Sequence, residues 1–487
     1  MSADAGLRRL PIAPLRSDFA LRMHDGAYLD RFLEAALEIL SRTGVRVLSE
    51  RGLAVFAEHE AEVDVEGRLV KLPHDVALGA LRRAPRHFVL GSRDGSCDLD
   101  LASGYTYTTI SGCGAEVIDW RSGERRLSTK ADLADITRLA DYLPSIGFWW
   151  PLVSAGDCDE TAQLHELDAG WTNTVKHLQG MVQGGREAGY AVEMATVLAG
   201  DGARLRARPN LSDLVCAVSP LVLDRDGIEA ALAFAEAGVP VCVCSAPAVG
   251  TTGPATLAGT YAQALAEVIA YTVLIECAHP GAPVIGYVLY YYSDPRTGAP
   301  AGSQRDDRWR ILATELVHHI GLPALTGFSG TDAPLAGSWE AAADCAPSLY
   351  LAALSGSELN VGLGIADKGL LWSAEHLVLD DDLYHSARSA LLDIAVDEDA
   401  LALDVIDAAG PGGHFLGQPH TRRHLRELFV RGVTQVIGDD GRYRDPVEVA
   451  RERAVDILER YQPDPLDEDK RTELRRILAA ADHELRG

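Results

Sequence analysis

The chain has 487 residues, 47% of them hydrophobic and 24% charged, which gives a globular protein with a large core. Its formal net charge of −26 excludes the basic footprint that a nucleic-acid partner requires, and leaves a bias toward cationic ligands. The eight cysteines are scattered without a CxxC pair, a usage that predicts reduced core thiols in a cytoplasmic protein. Met1–Met23 lacks the order of a signal peptide, and His279-Pro280-Gly281 interrupts the apolar stretch around 269–292, so no membrane contact is expected.

Met1–Met23 reads as an arm. Asp25–Gly44 carries Leu29, Phe32, Leu33, Ala36, Leu37 and Leu40 at helical spacing. A helix at Glu50–His59, a weak strand pair in Glu62–Leu72, a helix at Pro73–Arg83 and an extended His87–Ser92 follow. From Tyr105 the rhythm changes. Extended runs are predicted at Tyr105–Ile110, Phe148–Ser154, Lys176–Gln183, Ser212–Val222, Val239–Val249, Pro283–Asp294, Pro323–Ser329 and Leu359–Ile365. A helical pattern follows each, the first at Thr129–Leu143 with Ser128 as N-cap and the last near Asp380–Ala395. Eight such units predict an α/β chain folded as a TIM (β/α)8 barrel. The rival doubly wound sheet lacks a Gly-x-Gly-x-x-Gly after an early strand. The expected division is an arm and α+β cap over 1–103, the barrel over 104–395, and a helical extension over the barrel at 396–487.

Several stretches resemble the trimethylamine:corrinoid methyltransferase family in order along nearly the whole chain. They are Ile39–Val47, Gly123–Leu133, Cys216–Asp224, Pro280–Ile285 and, most distinctively, Gly410-Pro-Gly-Gly-His-Phe-Leu-Gly-Gln-Pro-His-Thr-Arg-Arg-His424. The resemblance implies a barrel whose mouth takes an amine, and transfer of its methyl group to cobalt(I) on a partner corrinoid protein. It also implies that the chain itself holds no cobalamin. A homo-oligomer is expected. Members acting on trimethylamine carry pyrrolysine near the end of the seventh strand. Here that region, Gly327–Ala336, holds standard residues. The chain thus resembles the non-pyrrolysine branch, whose substrates are quaternary amines such as glycine betaine. A metal-dependent barrel hydrolase or lyase, and a catalytically silent quaternary-ammonium binder, are the alternatives.

Displacement at a quaternary N–CH3 releases a neutral tertiary amine and needs no general acid. The site must hold the cation against aromatic faces, each worth ~0.5–2 kcal/mol, and give any substrate carboxylate a donor. Tyr290, Tyr291, Tyr292, Phe328, Trp149, Trp150, Tyr105 and Tyr107 supply rings at strand ends. Alternation divides the sixth strand. Gly286 and Val288, small and branched, suit the crowded barrel interior, so Tyr290 and Tyr292 are expected to form the cage, with Tyr291 alone as the alternative. Gln179 and Gln183 are candidate donors to substrate oxygen. Ser329, Thr331 and Asp332 line the loop after the seventh strand. Gly330, Gly362 and Gly364 are expected to allow close approach of the corrin. His414, His420 and His424 fit no zinc spacing, so no metal is assigned, and His414 is expected in a loop over the mouth as a donor to the substrate or corrin.

Overall fold

The computed structural model describes residues 7–16, 20–112, 114–293, 296–298, 308–327, 330–428 and 432–485. Eight strands form the barrel: β1 Tyr105–Ile110, β2 Phe148–Trp149, β3 His177–Gly180, β4 Leu211–Cys216, β5 Val241–Ser245, β6 Val284–Val288, β7 Leu325–Gly327 and β8 Leu359–Leu363. Neighbours pair in parallel from β2 to β6 and from β7 through β8 to β1. Two contacts close the ring. Gly286 of β6 bridges Ala324 and donates to the Pro323 carbonyl at 2.9 Å, and Gly147 donates to the Thr108 carbonyl of β1 at 2.6 Å. The fold is a TIM barrel, with its functional face at the strand C-termini.

Eight helices wrap it: α1 Lys130–Tyr142, α2 Ala162–Asn173, α3 Gly185–Ala199, α4 Arg225–Ala237, α5 Leu257–Ala278, α6 Arg308–His319, α7 Trp339–Leu354 and α8 Ala374–Ala390. Helix α5 is long and apolar enough to cross a membrane, but 94% of its most apolar window is buried within the protein. It is a core helix, pressed between β5, β6 and the helices Gly26–Glu38 and His74–Arg83.

The N-terminal region is α+β. Its strand Val45–Val47 pairs in parallel with Val222–Leu223, so it is tied to the loop after β4. Leu15–Arg16 pairs antiparallel with Tyr105–Thr106 at the start of β1. At the other end of the chain, Pro446–Arg460 packs on α8, and Glu468–Leu485 packs on α3.

Local departures from the predicted elements have local causes. Thr129, not Ser128, caps α1 and forms a capping box with Asp132; the Ser128 hydroxyl donates instead to the Ser154 carbonyl at 2.8 Å. Strand β2 stops before Pro151, which has no N–H to donate. Helix α8 begins at Ala374, not near Asp380, because Ser373 caps it through the His376 N–H. In the helical extension, Ala402, whose φ is 49°, separates the short helices Glu398–Leu401 and Leu403–Ala409.

Candidate functional site

Side-chain direction in the barrel is fixed by what the outward residues meet. The Trp149 indole donates to Thr137 of α1 at 2.9 Å, and the Ser245 hydroxyl donates to Glu267 of α5 at 2.6 Å. A Cβ on Gly286 would stand 2.7 Å from Val317 of α6. These positions face the helices, so their neighbours face inward. Strand register then places His177, Gln179, Ser212, Cys216, Cys244 and Tyr287 inside.

This corrects the expectation for β6. Gly286 and Val288 face the helical layer, where a glycine makes room for Val317, and Ile285 and Tyr287 face the interior. The alternation does not continue into the tyrosines, because β6 stops at Val288. Tyr291–Tyr292 forms a separate parallel pair with Ala248–Val249.

The interior is polar at depth. His177 Nδ1 donates to the Gly91 carbonyl at 3.0 Å, and its Nε2 accepts from the Ser212 hydroxyl at 3.0 Å. Burial pushes the imidazole down to about 4, so it is a neutral structural ring at physiological pH. Gln179, two residues further up β3, is 0% exposed, and neither its amide oxygen nor its nitrogen has a partner among the described residues. An amide left so costs about 1–3 kcal/mol, which a bound polar group would recover. Nearer the mouth, Cys216 is exposed. A hydrogen bond with Cys244, its register partner, holds the Cys216 thiol below the usual range. The Tyr287 ring is half-buried, with its hydroxyl 3.0 Å from where a Gly327 Cβ would stand.

Helix-borne groups hold the strand-end loops. Glu267 of α5 is 0% exposed and accepts four hydrogen bonds, from the Ser219 and Ser245 hydroxyls, the Leu221 N–H and the Gln263 amide. It joins the loop after β4 to the end of β5. Arg310 of α6, also 0% exposed, donates to the Gly327 carbonyl at 2.7 Å and fixes the end of β7. Glu166 of α2 accepts from the Ser154 hydroxyl at 2.9 Å and the Ala155 N–H at 3.2 Å, tying down the loop after β2.

Burial raises Glu166 from 4.5 to about 6. The folded state therefore holds this proton more tightly than the unfolded state. Its contribution falls as pH rises from 4.5 through about 6, and the penalty, about 2 kcal/mol, is complete above that. Glu166→Gln keeps an acceptor and removes the penalty. The variant is expected to melt above the wild type at pH 8, with the gap closing at pH 4. Equal melting temperatures at pH 8 would contradict it.

The family model for trimethylamine methyltransferase (MTTB) matches residues 8–485. The chain belongs to the MTTB family. It is 30% identical over 457 residues to trimethylamine methyltransferase MttB of Desulfitobacterium hafniense (strain DSM 10664 / DCB-2), covering 92% of both chains. Against the enzyme of that name from Methanosarcina barkeri (strain Fusaro / DSM 804) it is 30% identical over 468 residues, 93% of this chain and 94% of the relative. It is also 29% identical over 454 residues to glycine betaine methyltransferase of D. hafniense (strain Y51), covering 92% of this chain and 94% of that one. The protein is a methyltransferase.

Within this MTTB protein the predicted site residues fall into separate groups. Tyr290 and Tyr292 do meet, edge to face at 5.4 Å. Tyr290 is 3% exposed and also packs edge-on against Tyr261 of α5 at 5.5 Å, so the pair belongs to an aromatic string continuing to Phe32 of the N-terminal helix. Tyr291 is exposed. Phe328 and Ser329 lie outside the described residues. The Thr331 hydroxyl donates to Asp344 of α7 at 2.9 Å and accepts the Ala333 N–H at 3.0 Å, a loop-to-helix tie. Asp332 is half-buried. Gln183 is half-buried in the turn into α3, where its N–H donates to Gln163 at 2.9 Å.

The three glycines at the ends of β7 and β8 have positive φ, and the neighbours are the protein's own. A Cβ on Gly330 would collide with the Ile365 carbonyl, and one on Gly364 would meet Leu377 at 3.1 Å. Gly362 sits in the bulge where β8 slips register against β1.

His414 is exposed, in a segment whose two ends are anchored beside α8, where Arg16 pairs with Asp393 and Asp382 holds Val433 and Thr434. This differs from the expected loop over the mouth, because the segment leaves from the C-terminal end of α8, at the opposite end of the barrel from the strand C-termini. His420 and His424 both reach Asp399 of the same segment, at 2.9 Å each. Missed in the sequence were Tyr287, Cys216, Glu267 and Arg310. The signal for Glu267 is an acid in the middle of a long, mostly apolar helix whose other acid, Glu276, stands in the last turn.

Proposed function

We propose that this methyltransferase takes a methyl group from a quaternary amine of betaine type, such as glycine betaine, and delivers it to cob(I)alamin carried by a partner corrinoid protein. The observation that carries the reading is the loop after β7, Gly327-Phe-Ser-Gly-Thr-Asp332, built from standard residues where trimethylamine-type members carry pyrrolysine. Likeness to a glycine betaine methyltransferase over more than nine-tenths of both chains supports it.

The interior suits the substrate side of this reaction. The unpartnered Gln179 amide offers a donor for a carboxylate, and the Tyr287 ring above it offers a face for the cation. The partner's corrinoid supplies a cobalt(I) nucleophile when bound. This chain's residues orient one N–CH3 bond toward the open end of the barrel, strip water from the cation and release a neutral amine. No group of the chain has to move a proton. A reduced partner and scattered free cysteines fit a reaction in the cytoplasm.

The test is incubation with cob(I)alamin and a panel of glycine betaine, proline betaine, carnitine and trimethylamine, following demethylated amine by NMR. A betaine is expected to react and trimethylamine to remain. Turnover of trimethylamine alone would sink the betaine reading, and binding without demethylation across the panel would favour a silent binding protein.

A further inference from the structure

Three metal-ligating side chains converge in the helical layer behind the end of β8. His376 and Asp380 stand one turn apart on one face of α8, and Cys345 reaches them from the middle of α7. One ligand atom from each lies within 4.8 Å of the other two. Cys345 is 1% exposed, His376 2% and Asp380 1%. The cluster takes no part in the methyl transfer proposed for the barrel mouth.

Its own hydrogen bonds leave it incomplete. The Cys345 thiol donates to Asp380, as does the Gly364 N–H at 2.8 Å. His376 Nδ1 has no partner among the described residues. His376 Nε2 stands 3.6 Å from Asp380 Oδ2, too far for a good hydrogen bond, and 3.3 Å from the Ile365 carbonyl. Donors bound at about 2.0–2.3 Å to one tetrahedral ion stand about 3.3–3.8 Å from one another, and both His376 separations fall in that range. A buried carboxylate also needs a cation, and among the described residues no lysine or arginine pairs with Asp380.

We propose that Cys345, His376 and Asp380 hold a zinc(II) ion, with the Ile365 carbonyl as the fourth donor. A mixed set of thiolate, imidazole and carboxylate selects zinc over magnesium or calcium, which take oxygen ligands. Loading sends the Cys345 thiol proton to solvent. The site is dry and has no open position for a substrate, so the ion is structural. It clamps α7 and α8 to the loop after β8. The loop after β7 is fastened to the same point, because the Thr331 N–H donates to the Ile365 carbonyl at 3.4 Å.

Metal analysis of the full-length protein, purified from zinc-supplemented cells and dialysed against a weak chelator, is expected to give one zinc per chain. His376→Gln with Asp380→Asn is expected to carry none and to melt below the wild type. Wild type grown with cobalt(II) in place of zinc provides a readout that does not depend on any variant folding. It is expected to show the strong visible bands of a tetrahedral ion and a thiolate-to-cobalt charge-transfer band in the near ultraviolet, the latter lost in Cys345→Ser. A wild type that retains neither metal overturns the proposal, as does bound cobalt without the thiolate band. Metal content and spectrum unchanged in both variants would place the ion elsewhere and overturn it equally.

Discussion

Glu267→Ala is expected to lower the stability of the protein by about 3 kcal/mol, the largest loss from any single change considered. The carboxylate is completely buried and satisfies two hydroxyls, a backbone N–H and a side-chain amide. Truncation leaves those donors without an acceptor in a dry space, and each orphan costs about 1–3 kcal/mol before the loops relax. The loss is shared between stability and function, because the loop after β4 and the end of β5 both border the mouth. Chemical denaturation should therefore show a lower midpoint, and methyl transfer should fall even where the variant remains folded. Glu267→Gln keeps one acceptor oxygen and lets the rotating hydroxyls accept from its amide, so most of the stability should return. A Glu267→Ala midpoint equal to the wild type would show that the hub is not what holds these loops.

Gln179→Leu should separate stability from activity, with opposite signs. The native amide is unsatisfied at 0% exposure, so an apolar side chain of similar size removes a penalty and should raise stability by about 1 kcal/mol. If the amide binds the substrate carboxylate, the same change removes a hydrogen bond to a charged group, worth about 1.5–3 kcal/mol, and kcat/KM for a betaine should fall about 10- to 100-fold. A carboxylate-free amine such as tetramethylammonium should lose much less. Raised stability with unchanged kcat/KM would remove Gln179 from the site. Such opposition between stability and activity is what a group poised for a ligand produces.

The barrel was legible in the sequence because its strands are short apolar runs spaced by helical patterns. Val241–Ser245 reads Val-Cys-Val-Cys-Ser and is buried on both faces, as a parallel barrel strand must be. What could not be read was where a run stops being a strand. Pro283–Asp294 looks continuous, but its pairing with β5 ends at Val288, opposite Ser245 and just before Pro247. Side-chain phase is therefore lost between Val288 and the tyrosines. Gly286 misled for a related reason: small residues suit a crowded interior, and they equally suit a close helix, here α6 with Val317.

Of the candidate site, Gln179 was legible because it stands in strand phase with His177 inside one short run. Glu267 and Arg310 were not, because each serves a loop from a helix 17 to 48 residues away in sequence. The Gly410–His424 stretch was the most recognisable in the chain and was read as part of the mouth. Only the fold shows that it stands on an arm outside the barrel wall.

The most direct test of the central claim is a single turnover with purified protein, cob(I)alamin and glycine betaine labelled with carbon-13 in its methyl groups. The account predicts one dimethylglycine formed for each cob(I)alamin consumed, with the label leaving the nitrogen one methyl at a time and no such loss without the protein. Glycine betaine left intact, while trimethylamine under the same conditions is demethylated, would contradict it.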